Sequence, residues 1–210
     1  LKYFKLKEKL HIATYTTVPT NTGLGSSSAM IIGLINCIKK FKNIKISNQK
    51  IIKTAYKIER KICKQYGGWQ DQAISQMGGL IQMNISKDGK LQIKKKIVNN
   101  KIDKKVKNNF LLVYTKKKRV SSKVILSQKK RKSKVLDYYD SIKGLNKKLL
   151  FSMRSNNPKY IADLFNKHWE NKKKLSNQMT SNIIDNLYFR LLKNYNFLGG
   201  KLIGAGGGGF

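Results

Sequence analysis

The sequence predicts a protein of mixed helices and strands arranged in two halves. Leu10 to Val18 alternates around threonines, which is typical of a strand. Ala29 to Ile38 is almost wholly apolar, which indicates a buried helix. The polar, lysine-rich stretch from Lys94 to Lys107 indicates a boundary, so we expect one domain over 1–105 and a second over 106–210.

The rest of the first half predicts a second helix and a hairpin. Ser47 or Asn48 can cap the helix. Its apolar face recurs at three- and four-residue steps, and Glu59 lies beside that face. Strands are expected over Leu80–Ile85 and Leu91–Ile97, and Asp88-Gly89 supplies the tight turn between them.

The second half predicts a strand, three helices and a short closing strand. In chain order we expect the strand Phe110–Thr115, helices at about Ser121–Leu136, Lys159–Leu175 and Ile183–Asn194, and a strand near Lys201–Ile203. The chain closes on a glycine run that directly follows this last strand. A loop built for close backbone approach is therefore at least as good an interpretation as a flexible linker.

The chain is strongly basic, with a formal net charge of +35 from 45 Lys and Arg against 10 Asp and Glu. Such an excess would ordinarily indicate nucleic acid or an anionic surface as partner. However, only five of the basic residues are Arg, the side chain better suited to bidentate phosphate and base contacts. Lys, Ile and Asn share A/T-rich codons, so compositional drift explains the charge without such a partner. A nucleic-acid-binding module remains the alternative.

The two cysteines and the hydropathy of the chain set its expected compartment. Cys37 and Cys63 lack metal-ligand spacing and are expected as reduced, buried thiols in a cytoplasmic protein. No apolar run approaches the roughly 20 residues of a membrane span. We therefore expect no membrane partner.

The most informative stretch runs from Pro19 to Ala29 and reads Pro-Thr-Asn-Thr-Gly-Leu-Gly-Ser-Ser-Ser-Ala. Glycines let the backbone come close to a phosphate, and the free N–H groups of a helix N-terminus face the anion. Serine hydroxyls beside them can reach a phosphate oxygen or a magnesium ion. The alternative is a turn that only caps a core helix.

Two acidic residues are the candidates for chemistry. Asp71 lies in the glycine-flanked turn Gly67-Gly68-Trp69-Gln70-Asp71-Gln72 and can accept or orient a hydroxyl proton. The alternative is a turn aspartate that bonds its own backbone. Glu59 can be a magnesium ligand or a surface residue paired with Lys or Arg60. His11 and His168 are isolated and are assigned structural roles.

The ordered set of motifs resembles the galactokinase–homoserine kinase–mevalonate kinase–phosphomevalonate kinase (GHMP) superfamily. The Gly-Leu-Gly-Ser-Ser-Ser-Ala stretch resembles its phosphate loop, and Lys201-Leu-Ile-Gly-Ala-Gly-Gly-Gly-Gly resembles its third, glycine-rich motif. In kinases of this type a Glu twelve positions before an Asp-Gln binds magnesium, and Glu59 stands in that relation to Asp71. Gly-Gly-Trp-Gln-Asp-Gln, Val113-Tyr114-Thr115 and the Leu198–Gly206 stretch are similar to the sugar-kinase branch, which includes heptose 7-phosphate kinases and fucokinases.

The resemblance implies an α/β fold with a ribosomal-protein-like nucleotide-binding half and a ferredoxin-like C-terminal half. It also implies ATP-dependent phosphorylation of a sugar hydroxyl, most simply the anomeric one, with Asp71 as base. Magnesium would be held by Ser27 (with Ser26 as the alternative) and Glu59. The residues implied to bind the nucleotide are Pro19, Gly23, Leu24, Gly25, Ser26, Ser27, Ser28, Ala29, Gly204, Gly206 and Gly207.

Three further expectations follow from the resemblance. Arg119 and Ser121 are expected to face the cleft between the halves. The partner is a sugar or sugar phosphate, and a homodimer is compatible with the family. The superfamily's first motif and the elements that follow its third motif are not in this chain, so residues 1–210 alone are expected to be inactive. A non-catalytic homologue is the third possibility.

Overall fold

The computed structural model of the chain describes residues 2–95, 108–129, 135–153 and 157–210. A 3₁₀ turn (Lys2–Phe4) precedes three α-helices and a hairpin, and the described part of the second half contains four more α-helices. The α-helices are α1 (Ser26–Phe41), α2 (Asn48–Tyr56), α3 (Gln70–Met77), α4 (Ser121–Lys129), α5 (Val135–Ser152), α6 (Pro158–Lys173) and α7 (Asn182–Asn194); the strands are β1 (Ile81–Ile85) and β2 (Leu91–Lys95).

The first half is organised around the packing of α1 on α2. The side chains of Ile32 and Ile35 on α1 meet Ile51 and Ala55 on α2 in one buried cluster. The predicted cap of α2 is confirmed, since the Ser47 hydroxyl accepts a hydrogen bond from the backbone N–H of Lys50 at 3.3 Å. This packing holds the N-terminus of α1 on a fixed support.

The predicted hairpin is confirmed over its described residues. Strands β1 and β2 pair antiparallel, with Ile81 opposite Lys95 and Ile85 opposite Leu91. Gly89 has a φ of +75°, so the turn uses the left-handed conformation that glycine adopts without strain. The last predicted strand residues, up to Ile97, lie outside the described residues.

Two helices differ from the prediction. The sequence predicts a turn over Gly67–Gln72 and a second glycine pair at Gly78-Gly79. Instead, residues 70–77 form α3, and Asp71 lies in its first turn. The predicted helix Ser121–Leu136 is α4 up to Lys129, and a second helix, α5, runs from Val135 to Ser152. In these segments polar residues interrupt the apolar residues at short intervals. Periodicity alone therefore does not predict either helix.

Three predicted strands are not formed. Leu10–Val18 has no regular secondary structure, and no backbone ladder joins it to any described residue. Phe110–Thr115 and Lys201–Ile203 make single backbone bonds to the chain end, from Thr115 N to Gly209 O and from Ile203 N to Phe210 O, both 2.8 Å. A strand needs a paired neighbour for its N–H and C=O groups, and among the described residues these segments have only isolated bonds.

The second half has its own buried clusters, and the cysteines lie outside them. Val124, Val135, Leu175 and Met179 form one cluster. Trp169, which is 1% exposed, forms another with Ile184 and Leu202. The prediction of buried thiols is wrong, because Cys37 and Cys63 are both exposed although free. Among the described residues no helix is both long enough and apolar enough to cross a bilayer.

Candidate active site

The glycine-serine loop ends at the N-terminus of α1, as predicted. Gly25 is the N-cap residue, with φ +73° and ψ +27°, and no side chain caps the helix. The first intrahelical bond is donated by Ala29 N to Gly25 O at 2.9 Å. The N–H groups of Ser26, Ser27 and Ser28 therefore have no intrahelical acceptor, and a 16-residue helix directs its positive end at the same place.

Glu59 is buried directly beneath this helix terminus. Its side chain is held by both serines of the loop, since Ser27 Oγ donates to Oε1 at 2.6 Å and Ser28 Oγ donates to Oε2 at 2.7 Å. The amide of Gln72 on α3 donates to Oε2 as well. The surface alternative for Glu59 is excluded, because the residue is 1% exposed.

A widened turn brings Glu59 to this position. Helix α2 continues without a break into a π-helical segment, Lys57–Ile62, in which Cys63 N donates to Ile58 O. Such π-helical turns are rare and concentrate at functional sites. Glu59 lies four residues beyond Ala55, so it continues the buried stripe of α2 toward α1.

The charge state of Glu59 is set by these contacts. Burial alone would raise its pKa, but the hydrogen bonds from Ser27, Ser28 and Gln72, together with the nearby Arg60, lower the pKa below its ordinary value. Arg60 Nη1 lies 3.8 Å from Glu59 Oε1. Glu59 is therefore a carboxylate at neutral pH.

Asp71 projects from the first turn of α3 toward the N-cap of α1. A Cβ added to Gly25 would lie 3.1 Å from Asp71 Cβ and 3.2 Å from Asp71 Cγ, so the carboxyl group packs against the bare Cα of the loop. Burial raises the pKa of Asp71 and the Glu59 charge adds to this, whereas Arg60 and Arg119 oppose it. Two carboxyl groups thus stand beside one helix terminus with pKa values shifted in opposite directions.

Arg119 joins the glycine-serine loop to the C-terminal glycine loop. A Cβ on Gly23 would lie 2.1 Å from Arg119 Nη2, and one on Gly204 would lie 2.4 Å from the same atom. Nη1 of Arg119 donates to the carbonyl oxygen of Gly206, and Arg119 N donates to Asn21 O at 3.3 Å. The guanidinium fills the space that the two glycines leave open.

The end of the glycine run is used for packing. A Cβ on Gly209 would lie 1.8 Å from Thr22 O, and one on Gly206 would lie 2.6 Å from Met179 Sδ. Gly207 N donates to Met179 O at 2.7 Å. These contacts seat the second loop on the first, and they explain why the run follows an apolar segment instead of acting as a linker.

One large cavity collects most of the predicted site residues. Its volume is about 1980 Å³, which is more than a single small-molecule pocket needs and leaves room for a nucleotide and an acceptor together. The predicted residues on its wall are Gly23, Gly25, Ser26, Ser27, Ala29, Glu59, Asp71 and Gly204, joined by Arg119 and Ser121. The cavity wall does not include Pro19, Leu24, Ser28, Gly206 or Gly207.

The sequence predicts a structural role for His168, indicates Lys201 only as part of the glycine-rich motif and does not single out Lys172. His168, Lys172 and Lys201 line the same cavity. A basic residue in a chain with 45 of them carries no signal of its own. The spacing of His168 and Lys172, four apart and so on one face of a helix, was the available hint.

The residues present fit a magnesium ion held together with phosphates. Ser27 and Glu59 offer oxygen ligands, which hard cations prefer, and a single carboxylate is enough when phosphate oxygens and water complete the shell. Within the described residues no cluster of three or more His, Cys, Asp or Glu forms a dedicated metal cage. These two side chains leave coordination positions open for phosphate oxygens and water.

Comparison with known proteins supports the sequence-based resemblance. Residues 1–79 match the family model described as GHMP kinases N terminal domain. The chain is 29% identical to the D-glycero-alpha-D-manno-heptose 7-phosphate kinase of Campylobacter jejuni over 94% of this chain and 58% of that protein. It is 26% identical to the bifunctional fucokinase/GDP-fucose pyrophosphorylase of Arabidopsis thaliana, over 96% of this chain and 19% of that protein.

The fold agrees with a solved relative. The crystal structure of a D-glycero-D-manno-heptose 1-phosphate kinase from Bacteroides thetaiotaomicron superposes with a TM-score of 0.71 at 21% identity, over 91% of this chain and 53% of that one. The resemblance to the GHMP kinases and the α/β fold are thereby confirmed, and the heptose 7-phosphate kinase and fucokinase relatives support the similarity to the sugar-kinase branch. The chain spans 58% of the length of the Campylobacter relative.

Proposed function

We propose that this chain carries the site of an ATP-dependent sugar kinase that phosphorylates a hydroxyl, most simply the anomeric one, of a heptose 7-phosphate or a related sugar. The observation that carries the proposal is the position of Asp71. Its carboxyl group lies against Gly25, directly before the open N-terminus of α1 and inside the cavity that also holds Glu59 and Ser27. The names of the relatives supply the acceptor class.

The nucleotide phosphates would bind at the first turn of α1. Gly23 and Gly25 allow close approach of the backbone, and the free N–H groups of Ser26 to Ser28 donate to phosphate oxygens. The Ser28 hydroxyl is already used on Glu59, so Ser28 would contribute through its backbone. Gly204 and Arg119 close the opposite side of this cradle.

When bound, a magnesium ion held by Ser27 and Glu59 would neutralise phosphate charge in addition to the N–H groups of α1. Ser28 and Gln72 keep the Glu59 carboxylate oriented and ionised. Ser27 Oγ would turn from Glu59 Oε1 toward the ion, a rotation about one side-chain bond.

Asp71 would accept the proton of the acceptor hydroxyl. A buried carboxyl whose pKa is raised takes up a proton more readily than an exposed aspartate does. The positive charges of Arg60 and Arg119 oppose the rise in the pKa of Asp71 and so favour its carboxylate form. Transfer then needs mainly positioning and charge neutralisation, which few side chains can provide.

The alternative of a nucleic-acid-binding module gains no support from the charge distribution. Exposed lysines occur on α1, α2, α4, α5, α6 and α7, which is the spread expected from compositional drift. A non-catalytic homologue is disfavoured because Glu59 and Asp71 retain their burial and contacts. The two-domain division, a cytoplasmic location and the homodimer stay predictions.

The test is turnover by the protein expressed from its complete coding sequence. Heptose 7-phosphate, fucose and galactose are screened for ATP consumption, and Asp71→Asn is compared with Asp137→Asn, an exposed aspartate in the first turn of α5. Loss of general-base catalysis lowers kcat by about 100-fold or more. We expect this loss in Asp71→Asn only, and equal activity of the two variants contradicts the assignment of the base.

A further inference from the structure

Beyond Gly204, the cavity wall carries a group of basic side chains that the proposed phosphotransfer leaves unused. We call His168 and Lys172 on α6, with Lys201 on the segment before the glycine loop, the basic cluster. All three line the cavity that contains Asp71. Gly204 lies between the basic cluster and the phosphate loop. The Cα of Gly204 faces Gly23 O and Arg119, and the carbonyl oxygen of Gly204 accepts a hydrogen bond from Lys172.

The basic cluster is held in place by the backbone. Lys172 Nζ donates to Leu202 O at 2.9 Å and to Gly204 O at 2.7 Å, which leaves one of its three N–H donors. Lys201 Nζ lies 3.5 Å from His168 Nε2. His168 Nδ1 is buried and has no hydrogen-bond partner. Ordered basic side chains with unused hydrogen-bonding atoms are what an anion site provides.

No carboxylate offsets this charge among the described residues. The ion pairs there involve other cations, and the nearest acid on α6, Glu170, is paired with Lys173. Burial, together with the charges of Lys201 and Arg119, lowers the pKa of Lys172 to about 7. Burial, with Lys201 and Lys172, lowers the pKa of His168 to about 4. These lowered pKa values reflect burial without a carboxylate nearby in the described part of the chain, and His168 is uncharged at neutral pH.

We propose that the basic cluster binds a phosphate monoester carried by the acceptor, so that the preferred acceptor is a sugar phosphate and not the neutral sugar. This rests on the proposed kinase function. The nucleotide phosphates have their own donors at the first turn of α1, on the other side of Gly204. A buried ammonium group without a carboxylate counter-ion is costly until an anion arrives, so binding there favours charged acceptors.

The decisive experiment compares two acceptors that differ only in the phosphate. The protein expressed from its complete coding sequence is assayed with D-glycero-D-manno-heptose 7-phosphate and with the unphosphorylated heptose. Loss of one charge-assisted hydrogen bond lowers kcat/KM by about tenfold or more. We expect this in Lys201→Met for the phosphorylated acceptor only, with KM for ATP unchanged, and we expect Lys201→Arg to restore most of it.

The matched control is Lys159→Met, an exposed lysine on the same helix as His168. It should behave as wild type with both acceptors. Equal losses for the two acceptors in Lys201→Met, or none, overturn the proposal. If Lys201→Met instead raises KM for ATP and leaves both acceptors unaffected, the basic cluster binds the nucleotide, and this result also overturns the proposal.

A binding measurement separates this proposal from the proposed function. The His168 ring resonance is titrated by NMR with and without inorganic phosphate, and a bound anion should raise the pKa of His168 from about 4 in wild type but not in Lys201→Met. An unchanged pKa in wild type overturns the subsite. If phosphate shifts His168 but neither acceptor is phosphorylated by wild type, the kinase proposal fails while the anion site stands.

Discussion

Replacement of Gly25 by Ala tests whether the contact between the loop and Asp71 matters for catalysis. The residue has a φ of +73°, so any other L-residue is strained there. The new Cβ would also lie 3.1 Å from Asp71 Cβ and 3.2 Å from Cγ, and the carboxyl group would have to retreat by a few tenths of an ångström. The variant therefore combines a backbone cost with a displacement of the base.

The two effects can be separated by a second glycine. Gly89 has a φ of +75°, and nothing lies within 4 Å of its added Cβ, so Gly89→Ala has the backbone cost alone. Left-handed strain of roughly 1–2 kcal/mol is partly offset by the reduced entropy of the unfolded chain, about 0.4–1 kcal/mol. We expect each variant to lose about 1 kcal/mol of unfolding free energy, a fall in Tm of about 2–4 °C.

The expected difference is in turnover. A misplacement of about 1 Å costs about 100-fold, so a few tenths of an ångström should lower kcat roughly tenfold in Gly25→Ala and leave Gly89→Ala unchanged. Unfolding is followed by circular dichroism and turnover by ATP consumption with saturating substrates. Wild-type kcat in Gly25→Ala, at the same stability cost as Gly89→Ala, would refute the role of this contact.

Three other substitutions give expected outcomes. Glu59→Gln should lose turnover and, at neutral pH, unfolding free energy. Because the pKa of Glu59 is lowered from 4.5, the stability that its carboxylate contributes disappears as the pH falls through the pKa of the folded state. Urea melts at pH 7 and pH 3 should therefore show a smaller stability difference between Glu59→Gln and wild type at pH 3. Asp71→Asn should be more stable than wild type at neutral pH, because the pKa of Asp71 is raised from 3.8; the same melts should show equal stability below that pH, and a less stable variant at pH 7 would contradict the burial argument. Arg119→Lys should raise KM for ATP by about tenfold, because a single ammonium cannot fill the space beside Gly23 and Gly204, whereas Arg190→Lys on the exposed face of α7 should not; initial-rate kinetics decide between them.

The position of the loop could be predicted because it leaves a local pattern, a glycine-serine run before an apolar helix. The hairpin followed for the same reason from Asp88-Gly89. Glu59 was singled out by its place twelve residues before Asp71, and its local sequence left a surface position open. Features determined by neighbours in the chain are those that a single sequence can predict.

The remaining features depend on contacts between distant segments. Asp71 was placed in a turn because Gly67 and Gly68 precede it, yet α3 forms where Ala73 can pack on Ile52 of α2. The three missing strands fail for the opposite reason, since an alternating pattern is insufficient without a paired neighbour. The roles of Gly206 and Gly209 are set by Met179 and Thr22, from which they are remote in sequence.

The opposite pKa shifts of Glu59 and Asp71 give the strongest argument for dividing their roles. Glu59 receives hydrogen bonds from two hydroxyls and an amide, so it is kept ionised and is poorly suited to take up a proton. Asp71 is desolvated beside that fixed charge, so it holds a proton more readily once one is offered. A carboxylate that stays charged suits a cation, and one that can be protonated suits a hydroxyl. Removal of both the Ser27 and Ser28 hydroxyls should therefore raise the pKa of Glu59 and raise the magnesium concentration needed for half-maximal activity, with a smaller effect on the pH profile set by Asp71.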